Sequence, residues 1–388
     1  MRNKSGSTSL FFFLLALCAW ALTAAPVSAA ATSSVDAGPL AVWQVKDGIT
    51  FVPGFRVQTR YSYAQDDDHT IQIKRFRLKG SGKLFGIAKY GSELKIDGTG
   101  AGGSPTAAVE NAWVEFTKLP VANLRVGLYD IPFSRSNLTS DSKLLLVDRS
   151  EIRSRLSKVG ISDNTTGALF HARPMDGLLE YAAGVFMNED FGEVPTWSGR
   201  MVLNLLDKPG QGGYGDYRGS YIGDGNRLAI GVSAAYMSDA SDSSAMPTTF
   251  DQYAVGVDVF FNRGPITLQG EYGRFEQTLT TGVLPNQTTE GGYVQAGYVL
   301  PATSMLPAYW PTTELAVRYQ EVKGGYLKSD GTLASDAADF QNHIKWTSIG
   351  LNFYIHAHNL KIQADYTIKK ETVEIANNMF QVQLQLDF

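Results

Sequence analysis

From Phe51 to Phe388 the chain repeats one phrase: a short run with apolar side chains at every second residue and polar ones between, closed by a polar turn. The last run shows it most plainly, with Phe380, Val382, Leu384, Leu386 and Phe388 alternating with Gln381, Gln383, Gln385 and Asp387. A period of two is the mark of a β-strand with chemically different faces. The first run follows suit, with Phe51, Phe55, Val57, Tyr61 and Tyr63 on one face and Arg56, Gln58 and Arg60 on the other. One such strand suits a soluble sandwich, whose apolar face is the core, as well as a membrane barrel, whose apolar face meets lipid.

The number of runs and the lengths of their connections decide between these. In the second run Phe76 and Leu78 oppose Arg75, Arg77 and Lys79, but Ile71 and Ile73 have the wrong parity, which predicts a bulge near Lys74. A turn is expected at Gly80-Ser81-Gly82, and strands at 84–96, 107–117 and 124–129. Eleven more follow, at 166–172, 178–187, 200–206, 228–236, 252–261, 266–275, 293–300, 314–322, 345–355, 360–368 and 379–388. The total is about sixteen, an even number of the size expected for a water-filled pore. Tight turns alternate with longer polar loops such as 277–290 and 323–341, and only the connection 207–227 is long on the short-turn side. Glycine at 39, phenylalanine at 20 and tyrosine at 18, with 19% charged residues, suit such strands. Mean hydropathy of -0.13, with no apolar run near twenty residues in the body, excludes a helical membrane protein. The fold class expected is all-β, a transmembrane antiparallel barrel.

At the N-terminus Arg2 and Lys4 precede an apolar stretch from Leu10 to Leu22 and small residues around Val27-Ser28-Ala29. This is the pattern of a cleaved signal peptide over 1–30, followed by a short periplasmic leader over 31–48 and the barrel over 49–388. The expected location is a bacterial outer membrane. The sole cysteine, Cys18, falls within the signal, so the exported chain has neither disulfides nor a thiolate for catalysis. A net charge of -4 argues against nucleic acid as a partner.

One stretch breaks the alternation: Tyr129 to Lys158, YDIPFSRSNLTSDSKLLLVDRSEIRSRLSK, expected to fold inward and line the pore. It carries Arg135, Lys143, Arg149, Arg153, Arg155 and Lys158 against Asp130, Asp141, Asp148 and Glu151. The early strands add Arg56, Arg60, Arg75, Arg77 and Lys79 on the face predicted to point into the lumen. Facing lipid, each of these charges would cost roughly 2–4 kcal/mol near the bilayer midplane. A basic constriction favours anions over cations, and guanidinium groups suit phosphate or carboxylate oxygens. Against that stands plain neutralisation by lumen acids such as Glu93, Glu115, Asp258, Glu271 and Asp365. Enzyme and metal motifs do not hold up. Gly80-Ser81-Gly82-Lys83 lacks the remaining residues of a phosphate loop. His356-Ala357-His358 reads as a turn with two exposed imidazoles, and Asp66-Asp67-Asp68 as a solvated loop.

At Val126 to Ser150, VGLYDIPFSRSNLTSDSKLLLVDRS, and at Ile73 to Leu78, IKRFRL, the chain resembles the phosphate-selective porin O and P family of the bacterial outer membrane. The later strands over 169–188 and 351–388 are similar as well. The resemblance implies a sixteen-stranded trimeric porin whose third loop folds into the lumen, with an anion path past Arg75, Arg77, Lys143 and Arg149. Arg135 and Ser136 stand where that pattern has an apolar residue and an acid, so phosphate selectivity does not follow from the resemblance. The expected function is passive diffusion of small anionic solutes, inorganic phosphate among them, without catalysis or cofactor. Outer-membrane lipid and the barrel assembly machinery, reading the terminal Phe388, are the expected partners. The alternatives are a weakly selective diffusion pore and a structural barrel sheathing a periplasmic partner.

Overall fold

The computed structural model describes residues 42–65, 69–97, 106–119, 121–161, 164–209, 214–215, 217–243, 248–281, 285–301, 310–334 and 342–388. The expected signal peptide, the leader up to residue 41 and the acidic triplet at 66–68 lie outside the described residues.

A short strand β1 (Trp43–Lys46), in the stretch read as an unpatterned leader, pairs with the start of β2 (Ile49–Ala64). Then follow β3 (His69–Leu84), β4 (Ala88–Asp97), β5 (Thr106–Phe116), β6 (Asn123–Asp130), β7 (Asn164–Ala172), β8 (Leu179–Asn188) and β9 (Val194–Asn204). The second half holds β10 (Asn226–Ser241), β11 (Thr249–Arg263), β12 (Ile266–Leu279), β13 (Gln287–Val299) and β14 (Thr312–Gly324). After a small hairpin of β15 (Tyr326–Leu327) and β16 (Leu333–Ala334) come β17 (Ile344–His356), β18 (Leu360–Glu371) and β19 (Met379–Asp387). Setting aside β1 and the hairpin, sixteen strands each run antiparallel to the next, and β19 returns to β2 with pairs from Met379↔Ala64 to Asp387↔Arg56. Phe388 extends the seam, its amide donating to the Phe55 carbonyl at 2.8 Å. The sheet therefore closes on itself and presents no edge.

Burial runs inside out relative to a soluble protein. In β19, Phe380 and Leu384 are exposed, while Gln381, Gln383 and Gln385 are buried. In β2, Arg56, Gln58 and Arg60 are buried and Tyr63 is exposed. Exposed apolar positions recur around the wall, among them Leu94, Val126, Phe170, Met201, Val232, Val255, Val317 and Ile349. This is the arrangement of a membrane barrel, apolar outward and polar inward.

The bulge falls where parity placed it. Gln58 pairs with Arg75 and Thr59 with Ile73, leaving Lys74 as the extra residue. The turn expected at Gly80-Ser81-Gly82 does not form; β3 continues to Leu84 and the chain turns at 85–87. These glycines serve close packing instead. A Cβ on Gly82 would lie 1.9 Å from the Thr50 carbonyl oxygen and 2.8 Å from the Tyr90 ring, and one on Gly80 2.7 Å from the Phe51 ring.

Antiparallel alternation puts the connections 131–163 and 205–225 at opposite ends of the barrel. Between Val299 and Thr312 there is a second long connection on the short-turn side.

Overpacking at Gly82 should be felt across the β2–β3 seam. Gly82→Ala is expected to cost about 1–3 kcal/mol, read as a lower urea midpoint by tryptophan fluorescence. Gly199→Ala, whose Cβ meets nothing closer than the Ala182 carbonyl at 3.7 Å, should leave the midpoint unchanged.

Candidate functional site

The interruption after β6 is partly helical. Ser134 caps the short helix Arg135–Leu138, its side chain accepting from the Asn137 amide. A single 3-10 turn at Asp141–Lys143 and an extended stretch lead to Ser150 and the helix Glu151–Lys158, whose Ile152 and Leu156 are buried. Ile131, Phe133, Leu138, Ile152, Leu156, Val159 and Ile161 form one apolar cluster with Leu169, Phe186, Val202, Phe275, Val322 and Ile344 of the strands. The helix drives its apolar side into that cluster and keeps Arg153 on the other, which is why a segment rich in arginine packs at all.

Polar side chains from strands around the barrel fasten the segment by its backbone. Glu271 accepts from Ser134 Oγ at 2.5 Å and from the Ser136 amide at 3.0 Å. Asp365 accepts from the Val147 amide at 2.9 Å, and Gln320 from the Glu151 amide at 2.8 Å. Asn352, Lys361 and Gln385 donate to the carbonyls of Leu145, Leu144 and Ser142. Two of the acids expected to neutralise arginines, Glu271 and Asp365, thus satisfy amides instead. The other three do pair with cations, Glu93 with Arg77, Glu115 with Arg125 and Asp258 with Arg200, and Glu115 also meets His171 Nε2 at 3.0 Å.

The nine candidate basic residues divide. Arg56, Arg75, Arg77, Arg149 and Arg153 line a cavity of about 840 Å³. Each of the first four faces a carboxylate. Arg56 pairs with Asp387 at 3.3 Å and donates to Ser140 and Ser142. Arg77 pairs with Asp97 and with Glu93. Arg75 from the wall and Arg149 from the segment grip the same Asp141, at 2.9 and 2.8 Å. Burial alone would raise the Asp141 carboxyl, but Arg149, Arg75, Arg56 and Arg153 outweigh it and hold it well below the usual carboxylate range. Arg153 donates to Asn137 Oδ1. Arg60 is buried beneath the cavity wall and pairs with Asp148 at 2.9 Å.

Three candidates stand away from the cavity. Arg135 is buried between the Phe260 and Tyr217 rings, 4.0 and 4.6 Å from their centroids, with a donor to the Arg218 carbonyl. Arg155 is buried against the Gly324 and Asn342 carbonyls and pins the helix to the neighbouring connection. Lys143 is half-buried, and its carbonyl accepts from the Gly219 amide at 2.8 Å.

The cavity holds cations that the sequence reading missed, Lys74, Arg318 and Lys369. Lys74 is the bulged residue, so β3 sends two successive basic side chains into one cavity. Lys369 lies over the Trp346 ring at 4.6 Å, and Arg318 donates to Gln295 and to the Asp148 carbonyl. None of the three forms an ion pair among the described residues.

From the opposite end, the connection 205–225 meets the segment. Tyr217 bridges to Thr139, and Ser220 donates to Glu314 at 2.8 Å while its carbonyl accepts from His358 Nε2. His358, read as exposed in its turn, is buried by this contact. The two insertions are therefore one packed unit.

A closed sixteen-stranded barrel with exposed apolar walls and buried charged inner faces is the fold of an outer-membrane porin. The chain belongs to the phosphate-selective porin O and P family, whose model matches residues 54–388. An uncharacterised protein of Aquifex aeolicus (strain VF5) is 24% identical over 304 residues, covering 72% of this chain and 68% of that protein. Among solved structures, the trimer form of OmpT, an outer membrane protein of Vibrio cholerae, superposes with a TM-score of 0.59 at 13% identity, covering 88% of this chain and 100% of that one. An anion-selective porin from Comamonas acidovorans does so with a TM-score of 0.57 at 13% identity over the same shares. At such identities these likenesses are likenesses of fold.

Glu271 carries two bonds to the N-terminal turn of the segment, so Glu271→Ala is expected to cost about 1.5–3 kcal/mol there. Limited proteolysis should then cut within 131–150 in the variant and not in the parent.

Proposed function

We propose that this porin passes small hydrophilic solutes by diffusion through a lumen narrowed by the segment 131–161, with a modest preference for anions and no strong selection for phosphate. The observation that carries this reading is the pairing of the basic set. Arg56, Arg75, Arg77 and Arg149 of the lining pair with the chain's own carboxylates, and the lining as a whole holds nine arginines and lysines against eight aspartates and glutamates. Opposed charges of this kind set up a transverse field that orders water and polar solutes without excluding either ion. The residual preference rests on Lys74, Arg318 and Lys369, which line the cavity without an ion pair among the described residues. The lumen placement of 131–161 is supported by its bonds to the buried polar faces of β2, β12, β14, β17, β18 and β19.

A homotrimer belongs to the same reading, supported by the trimer form of the Vibrio cholerae relative in fold. So does export through a cleaved signal, with recognition of the terminal strand by the assembly machinery and insertion into lipid along the exposed apolar wall.

The test is the reversal potential of the purified protein in a planar bilayer under a potassium chloride gradient. A small anion-directed potential is expected, falling to near zero in the double variant Lys74→Gln/Lys369→Gln. A cation-directed potential in the parent overturns the anion preference, and absence of conductance overturns the pore.

A further inference from the structure

Parity decides which side chains of the barrel meet lipid, and on one sector of the wall those side chains are charged. Arg274 and Glu276 of β12, Glu290 of β13, Glu321 and Lys323 of β14, Lys345 of β17 and Lys370 of β18 point outward. They share the parity of the exposed Val317, Ile349 and Tyr366 and oppose that of the buried Phe275, Val322 and Ile344. All lie at the long-loop end of the barrel, beside the connections 280–286 and 325–343. Elsewhere at that end the outward positions are apolar, with Ile71, Leu94, Val109, Met187 and Trp197 exposed. The edge of the bilayer by itself therefore does not call for charge at this level, and a lipid-facing charge is tolerated only near the headgroup layer.

The cluster is ordered. Register sets Arg274 opposite Glu290, Glu290 opposite Lys323, Glu321 opposite Lys345 and Lys345 opposite Lys370, in two rows about 7 Å apart along the strands. Each carboxylate accepts from a tyrosine hydroxyl, Glu276 from Tyr253, Glu290 from Tyr272 at 2.8 Å and Glu321 from Tyr319 at 3.2 Å. Each also pairs with a cation, Glu276 with Arg274, Glu290 with Lys323 at 3.0 Å and Glu321 with Lys345 at 3.5 Å. The three acids are 21, 23 and 38% exposed and the three cations 45, 53 and 50%. The cations, more than the acids that position them, thus form the outer surface. Lys370 is exposed as well and forms no ion pair among the described residues. Two ammonium groups directly opposite across a strand pair repel, and an anion between them removes the repulsion.

We propose that this sector of the wall, from β12 to β18, is a docking site for a phosphorylated lipid of the outer leaflet: Arg274, Lys323, Lys345 and Lys370 take the headgroup phosphates, and Leu315, Val317 and Ile349 lie along the acyl chains. A lipid fits better than free phosphate because the cations stand above an exposed apolar wall on the same strands, and only an amphiphile matches both. The inference rests on the outer-membrane porin reading and goes beyond it, since none of these residues lines the lumen cavity.

The experiment is native mass spectrometry of the full-length protein released from micelles, with bisphosphorylated lipid A and the same lipid stripped of both phosphates as separate probes. The parent should hold the bisphosphorylated form about tenfold more tightly. Lys323→Gln/Lys345→Gln/Lys370→Gln should lose most of that difference. Lys83→Gln/Lys89→Gln/Lys118→Gln, an equal loss of exposed charge at the short-turn end, should keep it. Inorganic phosphate at millimolar concentration should not displace the lipid; displacement makes this a free-anion site and overturns the assignment. Equal retention of the two lipids by the parent, or an equal loss in both triple variants, also overturns it. The first triple variant should keep the parent's reversal potential in a planar bilayer, which shows an intact pore. Normal current with unchanged lipid retention therefore refutes the docking site and leaves the porin reading standing, whereas a parent without conductance removes the reading on which the inference rests.

Discussion

Everything in this molecule depends on one constraint, that a backbone amide or carbonyl facing hydrocarbon must find its partner within the protein. Fifteen of the sixteen strand pairings are between neighbours in sequence, but they leave two edges until β19 meets β2. The seam joins Arg56 to Asp387 and Ala64 to Met379 across almost the whole length of the chain, and the rings of Phe55 and Phe388 pack beside it, tilted by 35° with centroids 5.5 Å apart. Without that pairing the exposed apolar wall would border an open ladder of unmet donors and acceptors.

Closure in turn creates the problem that the interior solves. Strands whose outer faces are apolar bring their charged faces together in a confined space, where an unpaired charge or amide is costly. The protein answers with two insertions from opposite ends. Their apolar residues make a core against wall positions such as Phe186 and Phe275. Their backbone amides take up Glu271, Asp365 and Gln320, and their acids take up Arg75 and Arg60. Close approach needs small wall residues, as at Gly350, where a Cβ would lie 2.5 Å from Leu146. A cavity of about 840 Å³ stays open beside these contacts, and Lys74, Arg318 and Lys369 line it.

The architecture was legible because it is written in parity. All sixteen expected strands correspond to strands of the barrel, and even the bulge at Lys74 follows from the mismatch of Ile71 and Ile73. Gly80-Ser81-Gly82 misled because glycine signals a turn and close packing alike, and only the facing Thr50 and Phe51 distinguish them. The candidate site was legible in part. Arg56, Arg75, Arg77, Arg149 and Arg153 do gather at one cavity, since strand parity and the interrupted pattern place them there. Arg135 and Arg155 went elsewhere because helical phase and aromatic neighbours, neither visible as alternation, turned them into packing groups. Lys369 escaped notice because its meaning lies in Trp346 across the ladder.

By itself the sequence determined the barrel, its strand count, its inward and outward faces and the membrane setting, since each follows from a period of two and from the energy of placing apolar or charged groups in lipid. Only the tertiary structure decided which charges remain available. Whether Arg75 meets a solute or Asp141, and whether Arg60 meets Asp148, depends on distances of about 3 Å between residues dozens of positions apart. Coulombic pairing acts on those distances alone, and periodicity along the chain carries no record of them.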